Sequence, residues 1–362
     1  MRNAIENGFS VFGFSVNYVN FVPLNSFSVK KVLSNIFKYG LPVALSVWLC
    51  YYLYTKIDMD VIIAEVRECN YWWIGFALII SVFSHIFRAM RWSIQLDALK
   101  IPTPLAPLTW SVFGTYAINL LAPRLGELWR SGYIAKREKA PFTTVFGSMV
   151  CDRLADTAMV LLLTLGTFFI AREAFVAFSE KYPQAYQGIE NIFHSPWFWA
   201  ACVIGAALVA WLFLSKSDNK WVLKARAWVK DLWDGFAVVA KMPGKGRWII
   251  LTFAIWGCYF AQLYLQFQAF DFTVGLGFVC ALVTFVLSSI SMGIPSNGGL
   301  GPWHLAVIFS LGIYGVEFDR AAAFAMIVWG IQNAFIVLLG LYAFVSIAID
   351  NRKRSRSINP SN

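Results

Sequence analysis

The sequence predicts an all-α, polytopic membrane protein. Of its 362 residues, 59% are hydrophobic and only 14% are charged, whereas soluble chains carry roughly 25% charged residues. A membrane-spanning helix needs roughly 20 mostly apolar residues, and the apolar stretches predict about seven or eight such helices with short loops between them. We therefore expect no separate aqueous catalytic domain.

The excess of positive charge is explained by the membrane. The formal net charge is +10, and the basic residues cluster at the ends of apolar stretches, as the positive-inside rule predicts. We therefore expect no nucleic-acid partner. The six cysteines form no CxxC pair and the three histidines are dispersed, so the sequence predicts no metal site and no cofactor.

The same basic residues orient the chain. Lysines precede the first apolar stretch and arginines follow the last, so we expect both termini on the cytoplasmic side of the inner membrane. We assign residues 1–34 to a cytoplasmic extension, 35–350 to the transmembrane domain and 351–362 to a basic cytoplasmic tail. The uninterrupted spans are predicted at Tyr39–Tyr54, Tyr71–Met90 (with Arg88 and Arg91 at its inner end), Thr143–Ala171, Trp197–Ser215, Trp248–Ala269 and Ala321–Ile349.

Two further apolar stretches are short or broken. Leu108–Ala122 is shorter than a full span and has basic groups on both sides, which favours a re-entrant hairpin that enters from the cytoplasm. Val274–Ile294 and Trp303–Tyr314 are separated by a segment rich in glycine and proline. They form either two crossings or a second re-entrant hairpin. Interrupted helices at matching positions of two halves indicate an internal repeat and point to a transport site.

A basic connecting segment follows the fourth uninterrupted span. Within about 217–241, Trp221, Ala225 and Trp228 recur at helical spacing among lysines and arginines. This pattern indicates a cytoplasmic amphipathic helix that lies on anionic lipid headgroups. A solvated connecting helix that packs on the spans is the alternative.

Three charged side chains follow the first short stretch at a spacing of three. Arg124, Glu127 and Arg130 would share one face of a helix, with the acid between the two bases. Because one carboxylate neutralises only one guanidinium, a positive surface remains, and the planar fork of arginine suits phosphate oxygens. The alternative is a salt-bridge network that fixes a helix at the membrane interface.

A second set of charges interrupts an apolar stretch. Asp152, Arg153 and Asp156 lie within the predicted span Thr143–Ala171, so we expect them to face the protein interior. They could bind substrate, relay protons, or pair with Arg124 and Arg130 to lock the hairpin. No serine–histidine set, glycine-rich nucleotide loop or HExxH motif accompanies them, and we predict no catalytic residue.

Polar and glycine residues of the second half could line a groove for a lipid headgroup, or they could bind neighbouring helices. These residues are Gln262, Gln266, Ser288, Gly298, Gly299, Gly301, His304, Gln332 and Asn333.

Three motifs in series give the chain a family resemblance. Pro123–Arg130 (PRLGELWR), Ser148–Asp156 (SMVCDRLAD) and Gly298–Gly301 (GGLG) resemble the transmembrane region of the lysylphosphatidylglycerol synthase family, a flippase-like domain, over roughly residues 35–350. The resemblance implies that six charged residues belong to a functional groove: Arg124, Glu127, Arg130, Asp152, Arg153 and Asp156. Many relatives have a glutamate where this chain has His304, so carboxylate-dependent behaviour there is not transferred.

Full-length relatives have a cytoplasmic aminoacyl-transferase domain after the membrane part, and this chain ends at Asn362. We therefore expect lipid translocation and no lysyl-lipid synthesis. The expected substrate is an anionic, phosphate-bearing lipid, with a glycan or isoprenoid carrier lipid also open. The chain has no ATP-binding motif, so we expect a gradient or downhill movement. Two alternatives are a membrane-embedded enzyme acting on lipid phosphates, and an accessory subunit that docks a partner transferase through residues 216–247.

Overall fold

The computed structural model describes residues 58–172, 242–294 and 296–358, together with single residues between 51 and 222. Within these ranges every regular element is a helix, which confirms the predicted all-α class. The predicted spans Tyr39–Tyr54 and Trp197–Ser215 and the amphipathic helix at about 217–241 lie outside the described ranges.

The described ranges contain ten α-helices and one 3₁₀ turn. In chain order they are α1 Met59–Glu68, α2 Tyr71–Ala98, α3 Leu105–Leu121, α4 Leu125–Arg137, α5 Phe142–Ile170, α6 Lys245–Phe267, α7 Asp271–Val274, α8 Gly277–Ser291, the 3₁₀ turn Asn297–Gly299, α9 Pro302–Ile313 and α10 Phe318–Ile358.

Four of these helices, α2, α5, α6 and α10, are long and apolar enough to cross a membrane. Helix α10 is 41 residues long and continues beyond the predicted span, so that Arg352, Lys353 and Arg354 of the predicted tail form its last turns. Helix α4 is tied to this end of α10, because Arg137 Nη1 lies 2.6 Å from Asp350 Oδ2.

Helix α2 corrects one predicted boundary. Its first turn is capped by Asn70, whose side chain accepts a hydrogen bond from the Trp72 N–H. The helix continues to Ala98, and Arg88 and Arg91 therefore lie inside it and are buried. The helix thus extends beyond Met90, where the span was predicted to end, and the two arginines predicted at its inner end are buried between helices. Buried arginines are tolerated at such a position when carboxylates within the protein pair with them.

Helices α3 and α4 form an antiparallel hairpin. Gly126 N–H donates to Asn119 Oδ1 at 2.8 Å, and farther from the turn Gly114 lies against the ring of Trp129. Helix α3 has 17 residues and is therefore about 25 Å long, less than the ~30 Å of a bilayer's hydrocarbon core. The contact between Gly126 and the backbone of α3 leaves no room for a Cβ atom.

Helices α8 and α9 form a second hairpin around the 3₁₀ turn. Thr284 Oγ1 and Ser310 Oγ, equally far in sequence from Asn297, lie 2.7 Å apart, so the two helices are antiparallel. Within the turn the backbone φ angle is 59° at Gly298 and 82° at Gly299. Glycine adopts this left-handed conformation without the strain that a Cβ atom causes.

The tips of the two hairpins touch. Asn297 Nδ2 in the second tip donates to Leu121 O at the end of α3, at 3.2 Å. Gly298 packs against Leu120, and its carbonyl accepts a 2.8 Å hydrogen bond from Trp329 Nε1 of α10. The two interrupted segments that the sequence placed in separate halves therefore meet. That the first hairpin re-enters from the cytoplasm stays a prediction, as do the internal repeat and the two alternatives for the second hairpin, namely two crossings or re-entry from outside.

The two larger of the three apolar cores among the described residues hold the helices around these hairpins. The larger core joins α6, α8, α9 and α10 through buried side chains such as Phe267, Val307 and Phe324. The smaller core joins α2, α3 and α4 through Trp92, Leu108 and Ile134. Helices α2 and α6 make the most extensive pairwise contact of the described structure, and the charged residues lie close to this contact.

Candidate functional site: a buried arginine cluster

A cluster of charged side chains lies where α2, α4 and α5 meet. We call it the arginine cluster, and it consists of Arg88 and Arg91 from α2, Glu127 and Arg130 from α4, and Asp152, Arg153 and Asp156 from α5.

The inner part of the cluster is a tightly paired tetrad, which consists of Arg88, Arg91, Asp152 and Asp156. Arg88 Nη1 lies 3.2 Å from Asp152 Oδ2 and 2.7 Å from Asp156 Oδ2. Arg91 Nη2 lies 2.7 Å from Asp152 Oδ1 and 2.9 Å from Asp156 Oδ1. Both arginines are separated by three residues and both aspartates by four, so each pair occupies one face of its helix. Each guanidinium therefore contacts both carboxylates.

Helix α6 completes the pairing of the two arginines. Arg88 donates from Nε and Nη2 to the hydroxyl oxygen of Tyr259, at 3.3 and 3.0 Å. Arg91 Nη1 donates to Thr252 Oγ1 at 3.3 Å. A buried charge is stable only when it is paired and hydrogen-bonded, and these contacts satisfy that condition for the tetrad.

One of the three interpretations of the aspartates was pairing with Arg124 and Arg130. Asp152 and Asp156 face the interior, as expected, and their close partners are Arg88 and Arg91, while Arg130 reaches Asp152 only at 3.9 Å. Sequence reasoning missed Arg88 and Arg91 because it interpreted them as basic residues flanking the end of a span. Their spacing of three, which matches a helix face, was the available indication.

Arg130 is buried but poorly paired. Its side chain is 1% exposed, and its Nη2 atom is 3.9 Å from Asp152 Oδ2. The guanidinium lies over the ring of Trp92, 4.3 Å from the ring centroid. Its Nε and Nη2 atoms have no hydrogen-bond partner among the described residues. A buried cation with free donors is the arrangement that an incoming anion would complete.

Arg153 lies at the accessible edge of the cluster, with 36% of its side chain exposed. It is 3.9 Å from Glu127 Oε1 and from Asp152 Oδ2, and 3.8 Å from Asp156 Oδ2. Glu127 is oriented by Asn119 Nδ2, which donates to both carboxylate oxygens at 3.3 and 3.2 Å. The Nε atom of Arg153 has no partner in the described part of the chain.

The cluster has a surplus positive charge. Four guanidinium groups face three carboxylates, and arginine stays protonated in proteins, so the net charge is +1. The unpaired groups of Arg130 and Arg153 are all donors. Such a set suits an anion with several acceptor oxygens, as in a phosphate group.

Arg124 stands apart from the cluster. It is the N-cap residue of α4, has a left-handed backbone with φ 62°, and its side chain is exposed. The prediction that Arg124 shares a helix face with Glu127 and Arg130 was therefore wrong, because α4 begins only after this residue. Arg124 lies in the turn that joins α3 to α4.

The candidate groove residues are spread over several separate places. Gln262 Nε2 donates to Gln332 Oε1 at 2.7 Å, and Gln332 Nε2 donates to Ser81 Oγ at 2.9 Å. These bonds join α6, α10 and α2. Ser81 precedes Arg88 by two turns on the buried face of α2, so this polar contact lies on the same side of the helix as the cluster.

The second place is the tip of the second hairpin. Gly301 N–H donates to His304 Nδ1 at 3.4 Å, which caps the start of α9. The His304 ring lies 5.2 Å from the ring of Trp329, and the same tryptophan bonds to Gly298 O. Asn333 Nδ2 donates to Trp329 O within α10. His304 and the glycines Gly298, Gly299 and Gly301 therefore build the tip, and Asn333 of α10 lies next to Gly298.

The remaining two residues lie elsewhere. Ser288 Oγ donates to Phe285 O in its own helix, and Gln266 is buried in α6. Within the described ranges, no group of three or more His, Cys, Asp or Glu residues is arranged to hold a metal ion.

Long apolar helices around a buried, positively charged site define this chain as an integral membrane protein. The family model of the lysylphosphatidylglycerol synthase transmembrane region matches residues 40–340. The chain therefore belongs to this family, which confirms the resemblance of its three motifs.

One relative supports the same assignment. The UPF0104 membrane protein MJ1595 of Methanocaldococcus jannaschii is 27% identical to the chain over 112 residues, which is 30% of this chain and 33% of that protein. The matched segment thus spans about a third of that relative. No solved structure matches the chain.

Proposed function

We propose that this protein moves an anionic, phosphate-bearing lipid between the two leaflets of the membrane without ATP. The observation that carries this proposal is the buried, incompletely paired guanidinium of Arg130 in a cluster with a net charge of +1. Family membership supports a role at membrane lipids.

The headgroup would bind at the loosely paired side of the cluster. Arg153 is partly exposed and Arg130 is buried, and the free donors of both would bond the phosphate oxygens. Arg88 and Arg91 would have positioning roles, because both guanidinium groups are already paired with Asp152 and Asp156 at 2.7 to 3.2 Å. A monoanionic phosphodiester would bring the net charge of the filled site to zero.

The two hairpins suggest how the site would open to each side. Both consist of short helices, and their tips meet through Asn297 and Leu121. In secondary transporters, interrupted helices near the midplane form the site, and the surrounding elements rock about it. Glu127 and Arg130 belong to the first hairpin, so a movement of this hairpin would displace part of the headgroup site.

Transport in proteoliposomes tests this proposal. Vesicles would contain a trace of fluorescent phosphatidylglycerol or fluorescent phosphatidylcholine, and an impermeant quencher would report the label that reaches the outer leaflet. Arg130→Gln keeps a polar side chain but removes the charge. Because a hydrogen bond to a charged group contributes about 1.5–3 kcal/mol, the phosphatidylglycerol rate should fall at least about tenfold.

Arg352→Gln is the matched control. Arg352 is also an arginine, but it is exposed on the last turns of α10, and its loss should leave the rate unchanged. Equal phosphatidylglycerol rates in wild type and Arg130→Gln would refute the proposed site. Protein-dependent cleavage of the lipid phosphate would instead support the enzymatic alternative, and inactivity without a co-purified transferase would support the accessory one.

A further inference from the structure

A groove opens on the surface between α2, α3 and α10. Its volume is about 560 Å³, within the range of roughly 300–1,000 Å³ that ligand pockets have. Its walls are mainly apolar and include Val82 and Ile86 of α2, Ala106 and Trp110 of α3, and Leu339 of α10. Helices α2 and α10 are candidate membrane spans, so this groove would face lipid hydrocarbon.

The groove shares a wall with the arginine cluster. Phe113 lines the groove, and its ring packs edge-on against His85 at 5.7 Å. The His85 ring lies 4.5 Å from that of Tyr116. The Tyr116 hydroxyl is 3.1 Å from the Tyr259 hydroxyl, which accepts hydrogen bonds from Arg88. A continuous row of ring side chains, Phe113, His85, Tyr116 and Tyr259, therefore links the apolar groove to Arg88 of the charged site.

One polar side chain in this shared wall, His85, lacks hydrogen-bond partners among the described residues. His85 is only 4% exposed, and neither of its ring nitrogens has a hydrogen-bond partner among the described residues. A neutral imidazole offers one donor and one acceptor, and burying both unpaired is unfavourable. The next side chain inward, Tyr116, shares a hydrogen bond with the Tyr259 hydroxyl.

We propose that the groove holds a hydrocarbon chain of the same lipid whose phosphate binds the arginine cluster. This inference rests on the proposed function and extends it from the headgroup to the whole lipid. The order of chemistry along the wall matches a phospholipid: an apolar groove, then the unpaired ring nitrogens of His85, then the surplus charge of Arg130. An ester or glycerol oxygen would meet His85.

Filling the groove tests the proposal. Ala106→Phe adds a ring to the α3 wall without touching the charged residues. Ala254→Phe is the matched control, since Ala254 lines a separate, wholly apolar crevice of about 340 Å³ between α2 and α6. The full chain in detergent would be titrated with dioleoyl phosphatidylglycerol and with glycerophosphoglycerol, the same headgroup without chains.

Wild type should bind both ligands. Ala106→Phe should bind dioleoyl phosphatidylglycerol about tenfold more weakly, because overpacking an occupied site by one ring is unfavourable on that scale. Its affinity for glycerophosphoglycerol should not change, and Ala254→Phe should bind both ligands as wild type does. Leu339→Phe fills the groove from α10 and replaces Ala106→Phe if that variant does not elute as a single folded species.

The outcomes separate the two proposals. If wild type binds glycerophosphoglycerol and the groove-filling variant keeps full affinity for the long-chain lipid, the groove assignment is overturned while the headgroup site stands. If wild type does not bind glycerophosphoglycerol, the proposed function itself fails. If Ala106→Phe converts a dimer to a monomer without changing lipid affinity, the groove is an interface between copies and the lipid assignment is overturned.

Discussion

Replacing Asp152 by asparagine should strongly destabilise the protein, and replacing its partner Arg91 as well should recover much of the loss. Asp152 is fully buried, and its carboxylate contacts two guanidiniums. Asp152→Asn leaves both arginines with only Asp156 as a close carboxylate partner. In the double variant Arg91→Met/Asp152→Asn, Arg88 and Asp156 remain as a balanced pair.

The distances between the paired charges set the size of the expected loss in unfolding free energy. With an effective dielectric constant near 20, charges 3.2 Å and 2.7 Å apart attract by about 5 and about 6 kcal/mol. Desolvation of the buried ions offsets much of this attraction, and removing one partner of a buried ion pair typically costs about 3–5 kcal/mol. We expect that loss for Asp152→Asn, and a coupling energy of roughly 2–3 kcal/mol between the two substitutions.

The assay is the free energy of unfolding of the four proteins in mixed micelles, measured by denaturant titration. Arg137→Met and Asp350→Asn provide a control cycle, because that pair is partly exposed, at 7% and 24% of the two side chains. Its coupling should stay below about 1 kcal/mol. Additivity of the Arg91 and Asp152 substitutions within about 0.5 kcal/mol would show that the tetrad is not an energetic unit.

Four further substitutions have defined outcomes. Gly126→Ala should abolish the yield of folded protein, because its Cβ atom would overlap a backbone carbonyl of α3. Gly132→Ala in the same helix meets no atom within 4 Å and should raise stability by about 0.5–1 kcal/mol in the same unfolding assay. Tyr259→Phe removes the acceptor of two hydrogen bonds from Arg88 and should lower the free energy of unfolding by about 1–3 kcal/mol; no change would mean that Arg88 finds another acceptor. Trp329→Phe removes the indole bond to the second hairpin and should increase proteolysis at that tip, and an unchanged cleavage rate would contradict the role of this bond.

The helices and the family could be predicted from composition and motifs, but the pairing within the site could not. Charges inside an apolar stretch face the protein interior, which placed Asp152 and Asp156 correctly. Arg88 lies 64 residues from Asp152 in sequence, and no local pattern shows which basic residue meets which acid. The left-handed backbone at Arg124 likewise depends on how α4 packs against α3, so its spacing to Arg130 indicated a shared face that does not form.

The distances within the arginine cluster divide it into a fixed part and a loosely held part. Helices α2 and α5 are joined by contacts of 2.7 to 3.2 Å through the tetrad. Helix α4 of the first hairpin reaches the same charges only at 3.9 Å, through Arg130 and Glu127. A phosphate bound between Arg130 on α4 and Arg153 on α5 would bridge the two parts with short, charge-assisted bonds. Under the proposed function, substrate binding would therefore fasten the hairpin to the bundle, and release would free it to move.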